Sequence, residues 1–103
     1  MNAYEDLATR FFDELVAMRN EFGFLTKWRE TGAKSTWTCK DGHTVRICDM
    51  DDGHLDNTIR MLQRKAPNSE ALKYMRIEKR YRTNYNSLKS QIAHYEKIAD
   101  TVF

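Results

Sequence analysis

The carboxy-terminal third of the chain constrains the fold most, because neither glycine nor proline follows Pro67 in the 103 residues. Ser69 suits the N-cap of a helix, and we predict one helix over residues 69–101, about 50 Å long. Apolar and aromatic side chains recur in it at alternating steps of three and four, the heptad spacing of a coiled coil. This seam consists of Tyr85, Leu88, Ile92, Tyr95, Ala99 and Val102. The spacing predicts a helical partner along the seam.

An amino-terminal helix is predicted over residues 3–22, where apolar residues again fall at steps of three and four. They are Tyr4, Leu7, Phe11, Leu15, Met18 and Phe22. Asn2 can cap this helix and Gly23 can end it. With about 19 residues it is too short to cover the whole seam, so we expect the remainder to pack on a second copy, as a homodimer or higher oligomer. The alternative is that the long helix breaks near residues 83–86 and folds back within one chain.

Residues 23–35 show no clear period and are predicted to form a loop. Trp28 lies in this stretch between Lys27 and Arg29. It either closes the edge of the core or offers a flat ring for stacking, and a lone tryptophan in a loop more often does the former.

A β-hairpin is predicted over residues 36–48, because apolar and polar residues alternate on both sides of Asp41 and Gly42. A two-residue turn would place Trp37 on the opposite face from Val45 and Ile47. A three-residue loop of residues 40–42, with Gly42 in the left-handed conformation, pairs Trp37 with Val45 instead. We prefer this second register. It predicts one buried face of Trp37, Cys39, His43, Val45 and Ile47.

A third helix is predicted over residues 51–66, with Asp51 as its N-cap and Met50 and Leu55 in the positions of a hydrophobic staple. Its core stripe is Leu55, Ile59, Leu62 and Ala66. The aspartates around its start match no calcium-binding loop, and we interpret them as capping and solvated residues. The predicted fold is therefore a single α+β domain, mostly α, over residues 1–103.

Composition narrows the class of protein further. With 41% hydrophobic and 31% charged residues, no segment approaches the roughly 18 apolar residues that a membrane span needs. The acidic start lacks the pattern of a signal peptide, so we expect a cytoplasmic protein with no membrane partner. Cys39 and Cys48 lie too far apart along the hairpin for a disulfide. Because no paired CxxC or HxxxH spacing is present, we expect neither a metal nor a cofactor.

Catalysis has little support in the sequence. No base is marked beside either cysteine, and no glycine-rich phosphate loop is present. A hairpin followed by a helix with His54 and Asn57 is similar in outline to the metal finger of HNH nucleases. However, the loop here is too short, and His43 opens the second strand instead of ending the first. We therefore expect a protein that is not an enzyme.

Basic residues concentrate between positions 60 and 82, where eight Lys and Arg side chains stand against two acidic ones. Arg76 and Arg80 are four apart and share one helical face, where two guanidinium groups can bind phosphate oxygens in bidentate fashion. The aromatic rings in this stretch suit base stacking. The predicted ligand-binding residues are Arg76, Arg80, Tyr81, Arg60, His54, Asn57 and Tyr74. A merely solvated face is an equally common reading of such a charge run.

One stretch of the sequence resembles a known signature. The pattern Trp37-x-Thr or Cys, Asp41-Gly42, Ile47, Met50, His54-Leu55, Asn57 and Ile59 resembles a hairpin–helix signature of small bacteriophage proteins, most of which lack an assigned function. It covers about a quarter of the 103 residues. The plan of a small hairpin and a long carboxy-terminal helix is also similar to the Thoeris anti-defence sponges. These phage oligomers sequester cyclic nucleotide signals through arginines and an aromatic ring.

The second resemblance implies a nucleotide bound between protomers in the host cytoplasm, with Arg76 and Arg80 as its clamp. Our first hypothesis is therefore a phage anti-defence protein that binds and sequesters an anionic cyclic nucleotide without catalysis. A small nucleic-acid-binding regulator using the same basic face is the second hypothesis. A protein inhibitor that occludes a host enzyme through its hairpin or acidic first helix is the third.

Overall fold

The computed structural model describes residues 3–103 and confirms an α+β fold that is mostly helical. Helix α1 spans Ala3–Glu30, strand β1 spans Thr36–Thr38 and strand β2 spans Thr44–Arg46. Helix α2 spans Asp52–Lys65 and helix α3 spans Glu70–Val102. Single 3₁₀ turns at Gly32–Lys34 and Ile47–Asp49 connect α1 to the hairpin and the hairpin to α2. The predicted cap Asn2 lies outside the described residues. No helix within 3–103 has the length and apolar character to cross a membrane.

Helices α1 and α3 run antiparallel along most of their length, so that α1 covers the heptad seam. The rings of Phe11 and Tyr95 stack with centroids 4.7 Å apart, and those of Phe22 and Tyr85 approach to the same distance. The Tyr95 hydroxyl donates a 2.6 Å hydrogen bond to Glu14, which raises the pKa of Tyr95 above its ordinary value. The helical partner that the seam predicts is therefore present within the same chain.

The predicted end of α1 at Gly23, and the predicted loop over residues 23–35, are wrong. Helix α1 continues to Glu30 because Leu25 and Trp28 are buried against the rest of the core. Glycine inside a helix costs about 1 kcal/mol relative to alanine, less than burying two large apolar side chains gains. Trp28 closes the edge of the core, as the more common of the two interpretations predicts, but it does so from a helix.

The corrected length of α1 removes the reason for expecting a second copy. Its 28 residues correspond to about 42 Å of helix, close to the length of α3. Helix α3 is continuous through residues 83–86, so the chain does not fold back there either. Most of the seam therefore has a helical partner within the same chain, whereas Val102 at its end is 62% exposed.

The hairpin has the three-residue loop that the alternation pattern favours. Trp37 pairs with Val45, the Cys39 amide donates a 2.7 Å hydrogen bond to the His43 carbonyl, and Gly42 has a φ of 92°. The predicted buried face holds for Ile47, which is fully buried, and in part for Trp37, Cys39 and Val45, which are partly exposed. It is wrong for His43, because the hairpin projects past the edge of the core and leaves 62% of that side chain exposed.

The core lies at one end of an elongated molecule measuring 61 × 23 × 20 Å. There the hairpin and α2 pack against the end of α1 and the beginning of α3. Asp51 caps α2 by accepting a 2.7 Å hydrogen bond from the His54 amide, and Ser69 caps α3 by accepting one from Leu72. The buried apolar side chains of this cluster are Leu25, Trp28, Ala33, Ile47, Met50, Leu55, Ile59, Leu62, Leu72, Met75 and Ile77.

Candidate anion-binding site

A groove of about 480 Å³ runs between α2 and α3 and is lined mainly by polar and basic side chains. Helix α2 contributes Asp56, Ile59, Arg60 and Gln63, and helix α3 contributes Arg76, Lys79, Arg80, Thr83 and Asn84. Four of these side chains are cationic and one is anionic. The groove therefore has the charge that an anionic ligand requires.

Helical spacing explains why the basic side chains meet. Arg76, Lys79 and Arg80 are separated by three and four residues, so they project from one face of α3. The turn at Pro67 reverses the chain and places α2 beside this face, which brings Arg60 to the opposite wall. Three of the predicted ligand-binding residues, Arg60, Arg76 and Arg80, are thus brought together.

The cations of the groove differ in how far they are already neutralised. Lys79 forms an ion pair with Asp56 across the groove, and this contact lowers the pKa of the Asp56 carboxyl. Arg80 forms a 2.6 Å ion pair with Glu21 of α1, and its guanidinium carbon lies 5.1 Å from the centre of the Phe24 ring.

Arg76 is the cation that is left available. Among residues 3–103 the structure gives its guanidinium no hydrogen bond and no ion pair. Arg60 hydrogen-bonds the neutral side-chain oxygen of Asn57 and also lies close enough to Asp56 to help lower the pKa of that carboxyl. A guanidinium without a carboxylate partner keeps its full positive field for a ligand. Arg76 is therefore the groove's strongest candidate for contact with an anion, with Arg60 on the opposite wall.

A second cavity of about 640 Å³ adjoins the groove on the other side of Arg76 and Arg80. Its walls include Phe24 of α1, the Pro67 turn and Lys73. The first turn of α3, whose backbone amides and helix dipole favour negative charge, forms its floor. Because Arg76 and Arg80 line both spaces, a ligand longer than one phosphate group can extend from one into the other.

The two tyrosines of the prediction are not brought into the groove. The hydroxyl of Tyr74 donates a 2.6 Å hydrogen bond to Glu70, which raises the pKa of Tyr74, and its ring packs near Trp28. The ring of Tyr81 lies 4.6 Å from that of Tyr85 and 5.3 Å from the guanidinium carbon of Arg29. Both face α1 instead of α2, because the same side of α3 that carries the heptad seam carries these tyrosines.

His54 and Asn57 do not line the groove. His54 faces the hairpin, with its Nε2 atom 3.9 Å from the Cys39 sulfur, while Asn57 meets the groove only through its contact with Arg60. The prediction passed over Lys79, Gln63 and Asn84, which do line it. The position of Lys79, three residues after Arg76 and one before Arg80, is the sequence signal that places it on the same face.

The ion pair of Glu78 and Arg82 near the groove is largely buried in the core and does not face a ligand. Glu78 is fully buried and accepts hydrogen bonds from Trp28 Nε1 at 3.1 Å and from Arg82 Nε at 2.7 Å. Arg82 also donates to Asp52 and to the carbonyls of Ile47 and Met50. Burial lowers the pKa of Arg82, but the hydrogen bonds to the two carboxylates raise it above its ordinary value. The pair ties α3 to α1 and to the start of α2.

The geometry of this groove is the main guide to function, since comparison with known proteins adds no relative. No protein-family model, no curated protein and no solved structure matches the chain.

Proposed function

We propose that this protein binds an anionic nucleotide in the groove between α2 and α3 and sequesters it without chemical change. The observation that carries the proposal is that the Arg76 guanidinium has no hydrogen-bond or ion-pair partner among residues 3–103. Three further cations line the same groove. A guanidinium fork matches the oxygens of a phosphate group, and hydrogen bonds to charged groups are worth about 1.5–3 kcal/mol each.

The remaining lining of the groove suits the other parts of a nucleotide. Gln63 and Asn84 carry both donors and acceptors, which match the edges of a base or the hydroxyls of a ribose. The volume of about 480 Å³ lies within the range of roughly 300–1,000 Å³ of small-molecule sites. The groove is built from one chain alone, so binding in it does not depend on a second copy.

The biological role that we propose follows the resemblance to the phage sponges. A bacteriophage would produce the protein in the host cytoplasm, where it removes a cyclic nucleotide signal on which a host defence depends. Stoichiometric binding without turnover is sufficient for such a role, provided that the dissociation constant lies below the concentration of the signal.

Calorimetric titration with a panel of linear and cyclic nucleotides tests the proposal. We expect one ligand class to bind, and Arg76→Gln to weaken it by about 10- to 100-fold, the equivalent of one charged hydrogen bond. The Arg76→Ala, Arg80→Ala double variant should abolish binding. Arg64→Gln is the matched control, because Arg64 is an exposed arginine of α2 that lines neither cavity.

Three results would contradict the proposal. The first is the absence of binding heat for every nucleotide in the panel. The second is recovery of a chemically altered ligand after incubation, measured by mass spectrometry. The third is a loss of affinity in Arg64→Gln as large as that in Arg76→Gln, which would indicate a general effect of charge instead of a site.

A nucleic-acid partner is the second candidate, and the extent of the basic surface favours it. Exposed Arg64, Lys65 and Lys73 continue the positive charge beyond the groove, farther than one nucleotide needs. Binding to a phosphate backbone should weaken steeply and log-linearly as salt increases. A salt-insensitive affinity for DNA and RNA, or none, would exclude this candidate.

Exposed apolar side chains on α1 and α3, and not the heptad seam itself, are the basis on which we propose self-association. Residues 3–22 of α1 and 85–103 of α3 form a two-helix arm, in which Leu15 is the one fully buried residue of those described. Its exposed large apolar side chains are Tyr4, Leu7, Phe12, Val16, Val102 and Phe103. A second copy packed arm against arm would bury these side chains as a four-helix bundle does. We therefore keep a homodimer as part of the proposal.

Sedimentation velocity over a range of concentrations tests the dimer. We expect the wild-type chain to dimerise and Leu7→Lys to be monomeric, since Leu7 is 61% exposed and a charge there opposes burial. Phe24→Lys is the control, because it removes an exposed aromatic ring outside the arm. A wild-type monomer at all concentrations, or equal loss in the control, would contradict the arm as the interface.

A further inference from the structure

The exposed end of the hairpin gathers three side chains that are typical metal ligands, and a fourth, His54, lies beside one of them. One ligand atom each from Cys39, Asp41 and His43 lies within 4.8 Å of the other two. The fourth comes from the first turn of α2, where His54 Nε2 lies 3.9 Å from the Cys39 sulfur. These residues belong to neither cavity beside Arg76. We infer that Cys39, Asp41, His43 and His54 bind one zinc ion.

The chemistry of the four donors fits zinc better than the other common metals. One thiolate, two imidazoles and one carboxylate form a set of N, S and O ligands that Zn²⁺ accepts in tetrahedral geometry, whereas Ca²⁺ and Mg²⁺ prefer oxygen ligands alone. Around a tetrahedral zinc ion, adjacent donor atoms lie about 3.3–3.6 Å apart, given metal–ligand bonds of about 2.0–2.3 Å. The separation of 3.9 Å between Cys39 and His54 is close to this value. Asp41 and His43 would have to rotate toward His54 to share the ion, which their exposure of 69% and 62% allows.

The backbone of the hairpin already fixes three of the ligands. The three-residue loop is closed by hydrogen bonds of 2.7 Å from the Cys39 amide to the His43 carbonyl and 2.9 Å from the Gly42 amide to the Cys39 carbonyl. This places Cys39 opposite His43 and Asp41 between them. Because the loop backbone is already ordered, metal binding costs little conformational entropy, which favours the affinity for the ion.

A turn without a metal accounts for only part of this arrangement. Asp41 Oδ1 accepts a 3.1 Å hydrogen bond from the His43 amide, as aspartate often does in turns, and it also contacts the His43 ring. That turn chemistry does not explain why the half-buried Cys39 thiol faces the ring of His54 on another element. A shared ion would bring both contacts together and join the loop to α2.

The site has a structural consequence for a very small sheet. Each strand has only three residues and no other strand pairs with them, and isolated two-stranded hairpins are marginally stable in water. An ion held by Cys39, the loop and His54 would fasten the hairpin to α2. Zinc binding should then raise the thermal stability of the protein and be lost when its ligands are protonated at low pH.

Cobalt substitution tests the inference on tag-free, reduced protein stripped with a chelator. We expect one Co²⁺ per chain, with the visible absorption of tetrahedral cobalt and a near-ultraviolet thiolate-to-cobalt band, both removed by adding Zn²⁺. Cys39→Ser should remove the thiolate band, and Cys48→Ser should keep it. His54→Gln, His43→Gln and Asp41→Asn should each weaken binding by at least about tenfold, whereas His94→Gln should not.

The controls keep the outcome decisive. Cys48 and His94 are the chain's other cysteine and histidine, and neither belongs to the cluster. His43 and Asp41 are exposed, with 62% and 69% of their side chains accessible, so their variants should keep the far-UV circular dichroism of the wild type. A wild-type protein without the thiolate band, a band that survives Cys39→Ser, or equal weakening by His54→Gln and His94→Gln would overturn the inference.

Discussion

Replacing Arg82 with methionine should destabilise the protein by about 3–5 kcal/mol, the usual cost of removing one partner from a buried ion pair. Its 2.7 Å hydrogen bond to Glu78 is the main loss, because that carboxylate is fully buried. Glu78 keeps its hydrogen bond from Trp28 and a 3.8 Å ion pair with the half-exposed Arg29, which places the expected cost toward the lower end of this range. The contact with Asp52 adds at most about 1 kcal/mol, since that side chain is 88% exposed. Methionine keeps most of the apolar stem of the side chain, so the measured loss reports on the charge and its hydrogen bonds.

Urea denaturation followed by far-UV circular dichroism measures this cost, and a double variant identifies its origin. Glu78→Leu with Arg82→Met should recover part of the loss, because no buried charge then lacks its partner, although the Trp28 Nε1–H then has no acceptor from Glu78. Arg19→Met is the matched control, with an ion pair of 2.9 Å whose two side chains are about half exposed; it should cost no more than about 1 kcal/mol. A loss below about 1 kcal/mol in Arg82→Met, or a double variant as unstable as the sum of the single variants, would refute the reasoning.

Two further predictions concern a pair of glycines and one carboxylate. Gly32→Ala should lower stability by about 1–3 kcal/mol, because the new Cβ would overlap the Trp28 ring. Gly23 lies within α1 with open space around it, so Gly23→Ala should raise stability by about 0.5–1 kcal/mol. Thermal melts of both variants test this contrast. The hydrogen bond from Lys79 is the largest cause of the lowered pKa of Asp56 in the folded protein. This interaction stabilises the fold above the ordinary Asp pKa of 3.8, and the stabilisation is lost as the pH falls through the lowered pKa of the folded state. Asp56→Asn should therefore flatten the acid limb of a stability–pH profile, and an unchanged limb would contradict the assignment.

Local patterns in the sequence predicted the elements of the fold but not where α1 ends. Periodicity and capping residues place α2 and α3 to within one residue at each end. Gly23 is a typical stop signal, yet burial of Leu25 and Trp28 outweighs it. That burial depends on α3 lying alongside, which is a tertiary fact that propensity does not contain.

The same distinction applies to the candidate site. Spacing within one helix correctly placed Arg76 and Arg80 on a shared face. The same spacing does not reveal which side of α3 faces α1, so it does not show that Tyr74 and Tyr81 pack toward Trp28 and Arg29 and away from the groove. The position of His54 against Cys39 depends on how the hairpin docks on α2, which also lies beyond single-helix periodicity.

The antiparallel pairing of α1 with α3 has a consequence for how the chain is synthesised. Contacts between these helices join residues 77 and 81 positions apart, as in Arg19 with Glu96 and Glu14 with Tyr95. The apolar stripe of α1 leaves the ribosome first and has no partner until the distal half of α3 follows, several seconds later at about 5–20 residues per second. During that interval the nascent chain exposes an amphipathic helix, and its protection from aggregation depends on other proteins or on rapid completion of the chain.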